Sequence, residues 1–210
     1  MLTLLVVIRQ MITVAQNTRL LVKLRAAQRR LRYQALHDPL TGLANRALFT
    51  AEVDHAVAAH RASGRPLVAL FCDLDGFKAI NDSLGHAAGD SLLKQFADRV
   101  KRAVRVTDTV ARLSGDEFVI LLEDLKGPED ADTIAKTIIA ATREEFTIEA
   151  TPLRVTTCIG IAFASGEIGG AELLRRADSA LYQAKRAGRD RYHRVHELEH
   201  PLDASARARP

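Results

Sequence analysis

Tryptophan is absent from this 210-residue chain, cysteine and methionine occur twice each, and aromatic residues make up only 5%. Cys72 and Cys158 stand alone in apolar stretches, without the paired spacing of a disulfide framework or a zinc module. They read as reduced core thiols of a cytoplasmic protein. Glycine (12) and proline (6) are too few for a low-complexity segment, and neither occurs in residues 1–36. A membrane-spanning run is missing as well: Leu2 to Ile8 is apolar, but Arg9 cuts it after seven residues, and a bilayer needs ~20. With no basic segment before it and no small-residue cleavage site, it is not a secretory signal. A membrane or sensor segment outside this chain stays open, and with it the cytoplasmic domain of a membrane protein. Charge of one dominant sign is also lacking, with 30 Lys and Arg against 26 Asp and Glu, net +4. The basic excess lies in Arg19 to Arg32 and in the tail, so nucleic acid is not expected as a partner.

What is present fits one domain of ordinary size with an appendage; 47% hydrophobic residues suffice for a core. Residues 1–36 read as one continuous helix. A heptad frame puts Val14, Asn17, Leu21, Leu24, Gln28, Leu31 and Ala35 on one seam, a short coiled coil in which Asn17 and Gln28 would fix register. The alternative is an amphipathic helix packed on its own domain. Residues 37–195 form the domain proper, and the polar stretch 196–210 is expected to be a disordered tail. Inside the domain, helices are expected over 46–63, 77–84, 89–106, 130–145 and 171–187. Strands are expected at 67–71, 109–113, 118–122, 153–163 and 191–195. The fold class is α/β, with an antiparallel hairpin in the central sheet.

Two acidic elements carry the chemistry. Arg112-Leu113-Ser114-Gly115-Asp116-Glu117-Phe118 reads as a hairpin tip between two strands, and Gly115 lets the backbone approach a ligand closely. Cys72-Asp73-Leu74-Asp75-Gly76-Phe77-Lys78 ends the apolar run Leu67–Phe71. Either alone is ambiguous, because a strand-end aspartate is often a cap or turn former and acidic hairpin tips are often merely solvated. Two strands ending in carboxylates together suggest a divalent-metal phosphoryl-transfer site, since Mg²⁺ takes oxygen ligands and substrate phosphates.

Those residues, with His37-Asp38-Pro39-Leu40-Thr41-Gly42-Leu43, Asn81-Asp82, Gly85-His86, Gly89-Asp90, Leu181-Tyr182-Gln183-Ala184-Lys185 and Gly188-Arg189, resemble the GGDEF domain of diguanylate cyclases. Four blocks in the expected order cover residues 37–194. The resemblance implies a fold similar to the nucleotidyl cyclase and polymerase palm. It also implies condensation of two GTP into cyclic di-GMP with release of two pyrophosphates, across a homodimer of facing domains held by the N-terminal helix. By the same resemblance, Asp73, Asp116 and the Leu74 carbonyl hold Mg²⁺, with Mn²⁺ as an alternative ion. Glu117 is a further ligand or deprotonates the 3′-hydroxyl. Asn81 and Asp90 read guanine, Lys78, Lys185 and Arg189 hold the triphosphate, and Gly115 lies against substrate. Arg105 and Asp108 form the inhibitory product site.

Plainer roles stand beside these. Asp90 and Asn81 could cap helices, Lys185 and Arg189 could complement a helix dipole, and Arg105-x-x-Asp108 could be a surface ion pair. Asp75 is expected to support its turn through hydrogen bonds instead of touching metal. His86 reads as packed or turn-forming. Ser114 replaces the family's first glycine; serine fits there with little strain if φ is negative and costs on the order of 1 kcal/mol or more if φ is positive. Cys158 stands where the family often has serine. All metal-ligand positions are kept, which favours an active enzyme over a catalytically silent module that binds GTP or cyclic di-GMP.

Overall fold

The structure is a computed structural model that describes residues 2–195, with side chains at Arg9 and Met11 and from Gln16 onward. The chain divides into two compact units that meet between His37 and Asp38. The expected disordered tail, 196–210, lies outside the described residues.

The first unit is helix α1, Leu2–Leu36. Without glycine or proline, nothing in it breaks the hydrogen-bond ladder. Its seam residues Leu21, Leu24 and Leu31 are 52%, 65% and 66% exposed. Val14 lies outside the described side chains. No helix among the described residues is long and apolar enough to cross a membrane.

The second unit runs α2 (Arg46–Ser63), β1 (Leu67–Leu74), α3 (Phe77–Leu84), α4 (His86–Ala103), β2 (Thr109–Ser114), β3 (Glu117–Glu123), α5 (Pro128–Arg143), β4 (Phe146–Ile148), β5 (Thr151–Leu153), β6 (Thr157–Phe163), α6 (Gly170–Arg186) and β7 (Tyr192–Arg194). Five strands form one sheet in the order β2-β3-β1-β6-β7, antiparallel except for the β6–β7 pair. β1 is central and buried on both sides, which is why it reads as an unbroken apolar run. Its alternation divides the core into two layers. Val68, Leu70, Cys72 and Leu74 pack with Leu92, Phe96 and Val100 of α4 and with Ile138 of α5. Leu67, Ala69 and Phe71 pack with Phe49 and Val53 of α2 and with Leu173, Ala177 and Leu181 of α6. Gly160 on β6 is what brings α6 so close, because a Cβ there would collide with the Ala177 carbonyl and the Leu181 amide.

Three expectations need correction. The helix expected over 89–106 begins three residues earlier, at His86, and ends at Ala103, where Val104 turns extended; Val104 is only partly buried. Asp90 therefore lies in the second turn and does not cap the helix. The strand expected over 153–163 is two strands broken at Arg154–Thr156. The first of these pairs with β4 in a separate two-stranded hairpin. Its turn residues Glu149 and Ala150 have φ of 48° and 65°, an arrangement that asparagine and glycine normally signal and that these two residues conceal.

Candidate active site

The end of β1 and the β2–β3 turn form one acidic corner. Asp73 is the cross-strand partner of Glu117 on one side and of Cys158 on the other. The register of β2 slips between Arg112 and Ser114, a bulge that sets Ser114 opposite Glu117 and leaves Gly115 and Asp116 as the turn. Gly115 takes φ of 46°, in the left-handed region, whereas Ser114 does not, so the serine is unstrained. Its hydroxyl donates to Glu117 Oε2 at 2.6 Å. Arg46 of α2 approaches the same oxygen at 4.0 Å.

Asp73 and Asp116 are half-buried, and burial raises the pKa of each above the ordinary carboxylate value. The charge of Asp116 raises Asp73 further, while the Lys185 ammonium, 2.7 Å from Asp73 Oδ2, opposes the rise. Burial is thus the larger cause at this corner, and the lysine offsets it only in part. Among the described residues no three Asp, Glu, His or Cys side chains gather into a metal cage. Asp73 and Asp116 are brought together, while Glu117, expected with them as a ligand, is engaged by Ser114. Two carboxylates with a nearby carbonyl, completed by water and phosphate, are a donor set that suits Mg²⁺, which seldom takes an all-protein cage.

The substrate-side residues stand around this corner. Gly76 (φ 77°) turns the chain out of β1 into α3, which carries Lys78 and Asn81. The Lys78 side chain is exposed. Asn81 Oδ1 is buried with no hydrogen-bond partner, which costs about 1–3 kcal/mol unless a ligand satisfies it. Gly89 on α4 makes room for that amide, since a Cβ there would collide with it. Asp90 is exposed on the same helix. Arg189 follows the end of α6 with φ of 60°, its Nε 3.7 Å from Asp75 Oδ1.

Arg105 and Asp108 lie between α4 and β2. Asp108 Oδ2 accepts the Arg105 backbone N–H at 2.8 Å, tightening the turn. Burial raises the Asp108 carboxyl, and its Oδ1 is buried without a partner. The Arg105 guanidinium reaches Asp130 only at 4.0 Å and is about half exposed. Arg105 and Asp108 are joined through the turn backbone, not by a closed ion pair between their side chains.

Sequence reading gave Arg112 no role, yet it ties the corner together. Its NH1 lies 3.1 Å from both oxygens of Asp38, and its Nε donates to the Gly115 carbonyl at 2.8 Å. Asp38 also accepts from the Thr41 amide and hydroxyl. Burial would raise Asp38, but the bonds from Thr41 and Arg112 outweigh it and hold the carboxyl below its usual value. The domain's opening turn is thus clamped to the acidic hairpin. Only the tertiary fold brings together residues 74 positions apart.

Comparison with known proteins agrees with this architecture. The sequence profile "Diguanylate cyclase, GGDEF domain" matches residues 35–191. The chain is 41% identical over 179 residues to the bifunctional diguanylate cyclase/cyclic di-GMP phosphodiesterase MucR of Pseudomonas aeruginosa, a match covering 85% of this chain and 26% of MucR. It is 42% identical over 173 residues to the diguanylate cyclase TpbB of that organism, covering 81% of this chain and 40% of TpbB. The chain therefore spans well under half of either relative. Among solved structures, the GGDEF domain of TpbB superposes with a TM-score of 0.74 at 40% identity, covering 80% of this chain and 99% of that one. The coiled coil and GGDEF domain of DgcB from Caulobacter crescentus, in complex with c-di-GMP, gives a TM-score of 0.81 at 29% identity, covering 87% and 97%. With the profile matching well over half of its length and the same fold in solved relatives, the chain belongs to the GGDEF domain family of diguanylate cyclases.

Proposed function

We propose that this chain condenses two molecules of GTP into cyclic di-GMP, releasing two pyrophosphates. The observation that carries the reading is the pair of half-buried carboxylates, Asp73 and Asp116, with raised pKa and one ammonium to share. Asp73, Asp116 and the Leu74 carbonyl would hold Mg²⁺ or Mn²⁺. Once bound, the ion neutralises the phosphates and polarises the α-phosphoryl group. Lys78, Lys185 and Arg189 bind the triphosphate, and Gly115 lets it approach the turn. Asn81 and Asp90 read guanine: an amide donates and accepts, and a carboxylate accepts from the base's N–H groups. Glu117 accepts the proton of the attacking 3′-hydroxyl, with Ser114 holding one carboxylate oxygen in place. The attacking oxygen bonds to the α-phosphorus as pyrophosphate leaves, and the step occurs twice.

One domain binds one GTP, so the reaction needs two copies facing each other. α1 would raise the effective concentration of the second copy. Product bound at Arg105 and Asp108 restrains the enzyme; the half-exposed Arg105 guanidinium, with Asp130 only at 4.0 Å, supports this. The same guanidinium supports a second reading, a silent module that binds cyclic di-GMP without making it. Incubation with GTP and Mg²⁺, read by mass spectrometry, decides between them. Cyclic di-GMP at micromolar enzyme is expected; calorimetric binding of cyclic di-GMP with no turnover would establish the receptor instead.

A further inference from the structure

We propose that Asp75 is a positioning residue, which locks the loop after α6 onto β1 and so presents Arg189 to the triphosphate. The proposal rests on the cyclase reading above. The Asp75 side chain is only 8% exposed, and both of its oxygens are occupied. Oδ2 accepts from the Thr156 hydroxyl at 2.7 Å and from the Asp190 amide at 3.2 Å. Oδ1 accepts from the Cys158 thiol at 3.2 Å and faces Arg189 Nε at 3.7 Å. Burial, with Asp75 beside it, pushes the Cys158 thiol up to about 12, so at neutral pH it remains an S–H donor. With both oxygens spent on protein groups, Asp75 has no lone-pair edge for a metal, although it stands two residues from Asp73.

The loop needs such an anchor. Gly188, Arg189 and Asp190 have φ of 110°, 60° and 51°, and two of these three left-handed residues carry a Cβ. Left-handed L-residues in succession persist only where surrounding contacts over-determine them. From inside, Asp75 takes the Asp190 amide and the Arg189 guanidinium. From outside, Arg143 of α5 lies 2.8 Å from the Asp190 carboxylate. The Arg189 side chain makes only an ion-pair approach to Asp75, at 3.7 Å from Nε, and stays 65% exposed. Asp75 thus fixes the backbone from which Arg189 projects, through the Asp190 amide, and leaves the planar guanidinium open to phosphate, the group that suits bidentate contact. Asp75 joins the end of the strand bearing Asp73 directly to the loop bearing Arg189.

The test compares binding of 3′-deoxy-GTP, which cannot cyclise, with binding of GDP, by calorimetry with Mg²⁺, in wild type, Asp75→Asn, Arg189→Ala and the double variant. Wild type is expected to prefer the triphosphate. Asp75→Asn and Arg189→Ala should each lose roughly tenfold for 3′-deoxy-GTP and little for GDP, and the double variant should be no weaker than Arg189→Ala alone. Multiplying losses, or an unchanged triphosphate preference in Asp75→Asn, would overturn the proposal. Failure of wild type to bind 3′-deoxy-GTP would instead overturn the cyclase reading. Hydrogen exchange of the Asp190 amide in the wild-type protein needs no variant. Slow exchange is expected, and exchange at the rate of a free loop sinks the idea even if Asp75→Asn does not fold.

Discussion

Asp116 sits where two demands conflict: catalysis wants two bare carboxylates together, and folding does not. A folded-state pKa above the ordinary 3.8 means that stability is fully present below that value and is lost as pH rises through the folded pKa. Asp116→Asn removes one of the charges. In EDTA the variant should melt above wild type at pH 7, with the gap narrowing as pH is lowered towards 4; a constant gap would mean that burial does not raise the Asp116 carboxyl. Its turnover should fall at least about 100-fold, since even partners behind a metal ligand are worth ~10–100-fold. Asp90 is tested by base choice. With its cap role removed by the helix start at His86, Asp90→Ala should weaken GTP roughly 10–100-fold through a lost charged hydrogen bond and should flatten the preference for GTP over ITP. Unchanged discrimination would take Asp90 out of the guanine site.

The clamp from Asp38 to Arg112 to the Gly115 carbonyl works at the level of elements, because it joins the loop that opens the domain to the β2–β3 hairpin. Its side chains are 13% and 17% exposed. Breaking such a pair from one side costs about 3–5 kcal/mol, and lysine cannot replace the fork that spans Asp38 and Gly115. Arg112→Lys should therefore lower the urea midpoint and reduce turnover, although no catalytic role attaches to this residue. Equal midpoints would show that the pair is solvated. Packing between elements has its own limit at Gly160. A methyl there meets α6 backbone, so Gly160→Ala should cost about 1–3 kcal/mol or more by overpacking, read in the same denaturation experiment.

At the scale of the whole molecule, the proposed two-substrate, two-site reaction would make turnover depend on association. A protein truncated to residues 38–210 should show turnover per subunit that rises with protein concentration. The full chain should be nearly independent of concentration over the same range if α1 supplies the second copy as proposed. Identical concentration dependence would remove α1 from assembly. Feedback belongs to this scale too. Arg105→Ala should raise the cyclic di-GMP concentration needed for half inhibition roughly tenfold, the worth of a ~1.5 kcal/mol charged hydrogen bond. An unchanged inhibition curve would reduce Arg105 and Asp108 to a turn.

The sequence by itself determined the elements whose signals are local. The glycine-free helix α1, the apolar run of β1, the Ser114–Glu117 hairpin and the periodic faces of α2, α3 and α6 all follow from patterning over a few residues. It also determined which residue types carry the chemistry, because carboxylates at two strand ends narrow the options to a cation and phosphates. The tertiary structure alone decided which atoms remain available. That Asp75 is fully spent on protein donors and that Arg112 reaches Asp38 are contacts between segments distant in the chain. Their energies come from burial and from hydrogen bonds completed only once the sheet and its helices have packed, and no window of sequence contains both partners. The β4–β5 hairpin was hidden for a related reason. Its left-handed turn at Glu149 and Ala150 is imposed by strand pairing, against the local preference of both residues.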